Sequence, residues 1–281
     1  MLSTQNIVLT SVGWGVLALL YFMLFSARIP DADGIEKRAD WYLLGTNIFE
    51  AIAYLGAGVL CLRNWRSPQI VSGRNVWLAI GIGMLSYFLG GIIFGYTEIA
   101  LGKEPVLSLA DVFFVATYLL LGVGMVLAVA SRRLNLETWQ WAIVLALAIC
   151  GSAVAWLISG QPPTETVKAQ VPTWEENMAA ILNWFYIVSD VLLLVIATTL
   201  LLAFWGGRVS LSWRMIAAAA FSLYVADMWF KYATNWIPNY QSGEILEVFW
   251  VWSGVLFGLG AVLEHDASIN RSRRTGGRKR T

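Results

Sequence analysis

Charge and histidine are scarce in this chain. Asp, Glu, Lys and Arg make up 13% of its 281 residues, about half the share of a soluble domain. There is one histidine, His265, and there are two cysteines, Cys61 and Cys150. A lone histidine excludes a haem held by two imidazoles, and no His/Cys cluster exists for zinc or iron. The cysteines fall at different expected depths, which argues against a disulfide between them. No phosphate-cradling glycine loop, Gly-x-Ser-x-Gly elbow or kinase signature occurs. The chain is therefore read as a non-enzyme with no cofactor and no metal. Asp31-Ala-Asp33-Gly-Ile-Glu36 is too short for a calcium-binding loop and is read as a polar turn.

What is abundant is apolar surface. The chain is 58% hydrophobic, contains 15 Trp, and has a mean hydropathy of +0.65. Indoles in such number suit a protein that meets the lipid–water boundary. Eight stretches are predicted to span a bilayer as helices: 7–27, 41–62, 75–97, 105–131, 138–159, 178–205, 211–236 and 244–264. Breaks fall at Pro30 and Asp31 to Asp33, Ser67-Pro68, Pro105, Pro162-Pro163, Gly206-Gly207 and Pro238. The run 7–27 exceeds a signal-peptide core and has no basic residue before it, so it is expected to belong to the fold.

Residues 77–128 align with 213–264 at a constant offset of 136, with 13 identities in 52 positions. Trp77 meets Trp213, Tyr96 meets Tyr232, Phe113 meets Phe249 and Gly122 meets Gly258. Upstream, Asn47 meets Asn183 and Ile7-Val8-Leu9 meets Ile143-Val144-Leu145. The expected fold is all-α: a polytopic membrane protein of eight transmembrane helices in a tandem 4+4 repeat. The repeats are 1–136 and 137–265, followed by a basic tail, 266–281, expected to be disordered. Four spans per half give the halves the same orientation.

Thirteen of the 19 Lys and Arg residues fall on one side of these spans, among them Arg63, Arg66, Arg74, Arg132, Arg133, Arg208, Arg214 and six in 271–280. Arg28, Lys37, Arg38, Lys103, Lys168 and Lys231 fall on the other. Both termini are thus expected in the cytoplasm of a bacterial cell, with the protein in the inner membrane. Anionic lipid accounts for the basic tail, and nucleic acid is not an expected partner.

Ionisable groups inside spans default to functional candidates. Ser108 and Asp111 have the spacing of a capping box, and Glu247 is the repeat equivalent of Asp111. Asp227 and Lys231 are four apart and can pair on one helix face, where the first half has Gly91 and Gly95. Glu50 sits one turn before Tyr54, and Tyr186 one turn before Asp190, so each acid has a tyrosine on its own helix. Aromatic residues gather toward one end of the third, fourth, seventh and eighth spans, including Tyr96, Phe114, Tyr118, Trp229, Tyr232, Trp236, Tyr240 and Trp250. They read either as an interfacial belt or as an outward pocket. The pocket would bind a small amphipathic or cationic ligand through Glu98, Asp111, Tyr118, Asp227, Lys231, Tyr232, Tyr240 and Glu247. Glu50 and Asp190 are the candidates for proton coupling. The spacing of Asp227 and Lys231 also occurs in retinal proteins, but the span count and the repeat exclude that fold.

Pro105, Ser108, Ala110, Asp111, Phe113, Phe114 and Tyr118 together resemble a pattern in the multi-span sensory regions found N-terminal to bacterial diguanylate cyclases and histidine kinases. Ala226-Asp227, Tyr240 and Glu247 resemble the second half of that pattern. Two residues separate Pro105 from Ser108 where the pattern has them adjacent, and Glu stands at 247 for Asp. The resemblance implies an integral-membrane sensory module. No output domain follows residue 264, so signalling to a separate cytoplasmic partner is expected. Two other functions suit the same residues: a small-molecule or proton-coupled transporter, and an accessory subunit of a larger membrane complex that packs through Gly91/Gly95 and Gly254/Gly258. A homodimer is compatible with each.

Overall fold

Helix signals at the segment ends set the architecture. The computed structural model describes residues 3–30, 36–101, 107–130, 136–159, 173–205 and 209–277. Among them are eight long helices: α1 (Thr4–Phe25), α2 (Asp40–Arg66), α3 (Arg74–Leu101), α4 (Leu109–Ala130), α5 (Thr138–Ser159), α6 (Thr173–Ala203), α7 (Ser210–Trp236) and α8 (Val248–Gly277). Ser3 caps α1 by accepting the Asn6 N–H at 3.2 Å. Asp40 begins α2, and Arg63 and Arg66 end it, so charge complements the helix dipole at both termini. Glu175 and Glu176 do the same for the start of α6, which begins five residues before the expected span. A two-stranded ribbon, β1 (Ile29–Pro30) with β2 (Glu36–Lys37), joins α1 to α2. The breaks expected at Asp31 to Asp33, Pro105, Pro162-Pro163 and Gly206-Gly207 lie outside the described residues. So do Lys103, Arg132, Arg133, Lys168 and Arg208.

Seven helices are long and apolar enough to cross a membrane, which fits a multi-pass membrane protein. α7 is not among them. It carries Arg214, Asp227 and Lys231 and packs against α8, α6 and α5. Its buried residues, including Trp213, Ile216, Leu223, Tyr224 and Met228, show that the helix is enclosed by protein, where polar groups are tolerated. α1 and α5 are the opposite case. They expose Leu9, Leu17, Leu24, Leu145, Ile149, Trp156 and Leu157 in broad apolar faces.

The main core runs between the halves around Trp77 and Trp213, both fully buried. α2 packs on α3 and α8, while α6 packs on α7 and α4. Close approach is set by glycine. A Cβ on Gly124 would lie 3.2 Å from the Val76 carbonyl, and one on Gly260 would lie 3.2 Å from the Ser212 carbonyl. Gly254 and Gly258 seat α8 on Ala53 and Ala57 of α2, and Gly95 abuts Asn47. The small-residue faces expected to meet a partner therefore pack inside the chain.

α8 continues past residue 265 to Gly277. Contacts with the end of α2 and the α2–α3 loop hold α8 on both sides of residue 265. Ser72 donates to Glu264 Oε1 through its N–H (3.0 Å) and its hydroxyl (2.9 Å), and the Val71 N–H donates to Ser268 Oγ. Asn64 adds a bond to the Ala261 carbonyl at 2.8 Å.

Candidate functional site

At the end of the bundle where α2, α4, α6 and α8 begin, a cavity of about 850 Å³ opens between the halves. It brings together Glu50, Glu98, Asp111, Tyr118, Asp190, Asp227, Lys231, Tyr240 and Glu247. Tyr232 stays outside, 40% exposed and stacked on Trp236. Of the aromatic cluster, Phe114, Tyr118, Tyr240 and Trp250 line the cavity, whereas Tyr96 is 63% exposed. Trp252 donates to the Gly15 carbonyl and tethers α1.

Asp111 caps its helix and also faces the cavity. Its Oδ2 accepts the Ser108 N–H at 2.9 Å, and its Oδ1 accepts the Tyr186 hydroxyl at 2.9 Å. Glu247 is arranged likewise. Its two oxygens accept the Gly243 and Glu244 N–H groups at 2.7 and 3.1 Å, and Oε1 also meets the Tyr240 hydroxyl. Burial, then the charge of Glu247, pushes the Tyr240 phenol above its ordinary range.

Deeper in the bundle, the tyrosine–acid pairs differ from those expected along single helices. Tyr186 reaches α4, not Asp190. Tyr54 stacks on Tyr87 with ring centroids 3.7 Å apart, and Glu50 lies beside both rings in the wall of a small side pocket. Asp190 meets Tyr118 of α4, whose phenol oxygen lies 2.7 Å from Asp190 Oδ1 and also contacts Asp227 Oδ2. Asp227 Oδ1 accepts the Trp250 indole N–H at 2.7 Å. Among the described residues no salt bridge joins Asp227 to Lys231; the carboxyl oxygens of Asp227 instead meet Tyr118 of α4 and Trp250 of α8. Spacing within a helix could not reveal these partners, since each bond crosses between helices.

The hydroxyl of Tyr118 carries one hydrogen but makes two acid contacts. With one hydrogen to give, the hydroxyl can donate to only one of the two carboxyls at a time, and a proton on the other carboxyl would satisfy both contacts. Asp190 is 2% exposed, and its Oδ2 has no hydrogen-bond partner among the described residues.

A polar clamp closes the rim. Arg38, 6% exposed, donates to Glu244 Oε1 at 2.7 Å, to the carbonyls of Gln241 and Ser242, and to that of Ser26. Arg28 adds a 3.1 Å bridge to the same Glu244 oxygen. Burial alone would raise the Glu244 carboxyl. The hydrogen bond and charge of Arg38, then those of Arg28, outweigh it and hold the group below the ordinary range. Tyr42 donates to the carbonyl of Gly243, whose φ of +92° lets the chain turn into α8. Compared with known protein families, curated proteins and solved structures, the chain matches none.

Proposed function

We propose that this is a membrane sensory protein that binds a small ligand in the cavity and signals to a cytoplasmic partner through α8. The observation that carries the reading is the continuity of α8. It starts at the cavity with Trp250, directly after Glu247, and runs 30 residues without interruption, about 45 Å. A ligand that moves Trp250 would move the far end of the same rod. The floor below the cavity is packed with Trp77, Trp213, Ile80, Met84, Leu121 and Phe257, which suits a receptor more than a channel.

In this reading the chain crosses the membrane eight times as two co-oriented sets of four. The offset of 136 and the matched glycine contacts at Gly124 and Gly260 support that arrangement. The Lys and Arg distribution supports cytoplasmic termini and an outward cavity, and the same reading takes the membrane to be the inner membrane of a bacterium. The resemblance to the sensory regions of cyclases and kinases agrees, with Asp111, Tyr118, Asp227 and Glu247 at family-like positions. The test is transmission. Trp250→Phe in detergent-purified protein is expected to change amide hydrogen exchange across 265–277. Unchanged exchange there would remove the sensory reading.

Proton-coupled transport is the second reading, favoured by carboxyls at Glu50 and Asp190 in a cavity between the halves. It requires pH-dependent uptake in proteoliposomes, and a flat response across a substrate panel excludes it.

A further inference from the structure

Among the described residues, six carboxyl side chains and a single lysine line the cavity, and no arginine does. Even with Lys231 charged and one proton held at Tyr118, the lining favours a cation. The walls are aromatic, including Tyr87, Phe114, Tyr186 and Trp250, which suits a cation carrying an apolar body. Among the described residues, no three His, Cys, Asp or Glu side chains converge as a metal-binding group. An organic cation therefore fits better than a hard metal ion. The deepest carboxyl also asks for a particular head group. Asp190 Oδ2 is buried without a partner among the described residues, and only an N–H or O–H can satisfy it. A quaternary ammonium has no such hydrogen.

We infer that the cavity takes a protonated organic amine bearing at least one N–H, whose ammonium seats on Asp190 in exchange for the proton shared by Tyr118, Asp190 and Asp227. The exchange balances. One cation enters and donates an N–H to Asp190 Oδ2, one proton leaves to solvent, and Tyr118 keeps its hydrogen and donates it to one of two ionised carboxylates. The net charge of the buried site is unchanged, and the entering ammonium is paired with the carboxylate that the leaving proton uncovers. The groups facing this exchange are Glu50 on α2, Tyr87 and Glu98 on α3, Asp111 on α4, Tyr186 on α6, Lys231 on α7, Tyr240 on the loop, and Glu247 in the turn before α8. Asp111 and Glu247 are engaged by backbone N–H groups. The proton at Tyr118 is the one displaced, because Tyr118 contacts Asp190 directly.

The inference rests on the cavity being the input site, and its test separates the two ideas. The probe is 2-phenylethylamine on the whole purified protein. Calorimetry in buffers of different ionisation heat reads proton release, and hydrogen exchange across 265–277 is followed on the same samples. The expected result is saturable binding with about one proton released, weakening about tenfold per unit fall in pH while the site holds its proton. The N,N,N-trimethyl analogue and phenylacetate are expected to bind far more weakly. Asp190→Asn should weaken the amine by at least about 30-fold, with folding checked by gel filtration. The wild-type proton count carries the test without any variant. Binding of phenylacetate equal to that of the amine, binding without proton release, or no binding of the amine overturns the inference. Amine binding with proton release but unaltered exchange at 265–277 keeps the ligand class and removes the sensory reading. A change in exchange provoked by phenylacetate alone does the reverse.

Discussion

Trp77 and Trp213, 136 positions apart, face one another with ring centroids 6.4 Å apart in the buried centre of the bundle. Their surroundings are not equivalent. The Trp77 indole donates to Ser72 Oγ at 2.9 Å, and Ser72 in turn donates to Glu264. The Trp213 indole stacks on Phe204, and its N–H has no partner among the described residues. Replacing each with Phe removes similar volume but different polarity. Trp77→Phe is expected to cost about 1 kcal/mol more than Trp213→Phe, because only the first loses a made hydrogen bond. Denaturant unfolding in mild detergent measures the difference, and equal costs would contradict this account.

The paired glycines give a second comparison. Gly124 sits against Ile80 and Val76 just as Gly260 sits against Ile216 and Ser212, each pair shifted by 136. Gly124→Ala and Gly260→Ala should each destabilise by about 1–3 kcal/mol from overpacking. Gly122→Ala, with open space around it, should be nearly neutral or slightly stabilising in the same assay.

Much of this was legible in the sequence because it is periodic or apolar. Helix positions follow from hydropathy, and the 136 offset pairs Trp77 with Trp213, which meet in the core, whereas the glycine it singled out, Gly122, faces open space and the close approaches are at Gly124 and Gly260. Glu98, Asp111, Asp227 and Glu247 share a cavity as the sequence suggests, but Glu50 and Asp190, read there as a separate set, line the same cavity. The partners of these acids were not legible. Tyr118 reaches α6 and α7, and Tyr186 reaches α4, and no spacing along one helix encodes such a crossing. Over its most apolar stretch α7 is less apolar than the other seven long helices, because a helix enclosed by others need not be apolar all round. Tyr232 has the composition of a pocket residue but lies on the outer face of α7.

The two tyrosine–acid bridges should differ in weight. Tyr186→Phe leaves Asp111 still capped by the Ser108 N–H, so a loss near 1 kcal/mol is expected. Tyr118→Phe removes the hydroxyl between Asp190 and Asp227 and leaves two carboxyls near each other without it. Its cost is expected at about 2–3 kcal/mol. Adding Asp227→Asn should recover part of that loss, because the amide lowers the charge facing Asp190. A double-mutant cycle showing strict additivity would argue that the three side chains do not act as one network.

The rim clamp carries a pH dependence with a defined sign. The folded-state pKa of Glu244 lies below its unfolded value, because Arg38 and Arg28 favour the carboxylate more than burial opposes it. Its contribution is therefore fully present above the ordinary glutamate range, about 4.3. It is lost as pH falls from there through the lower folded value. Glu244→Gln should flatten the stability profile below about pH 4.5 while costing only about 1 kcal/mol at neutral pH, since the pair is partly exposed. Arg38→Ala should cost more, on the order of 3 kcal/mol, because the buried guanidinium also holds three backbone carbonyls that would lose their donor. Thermal unfolding from pH 3 to pH 7 separates the two. If Glu244→Gln kept the full acid-side slope, some other carboxyl would have to own it, and the clamp would not be the pH-sensitive contact at the cavity mouth.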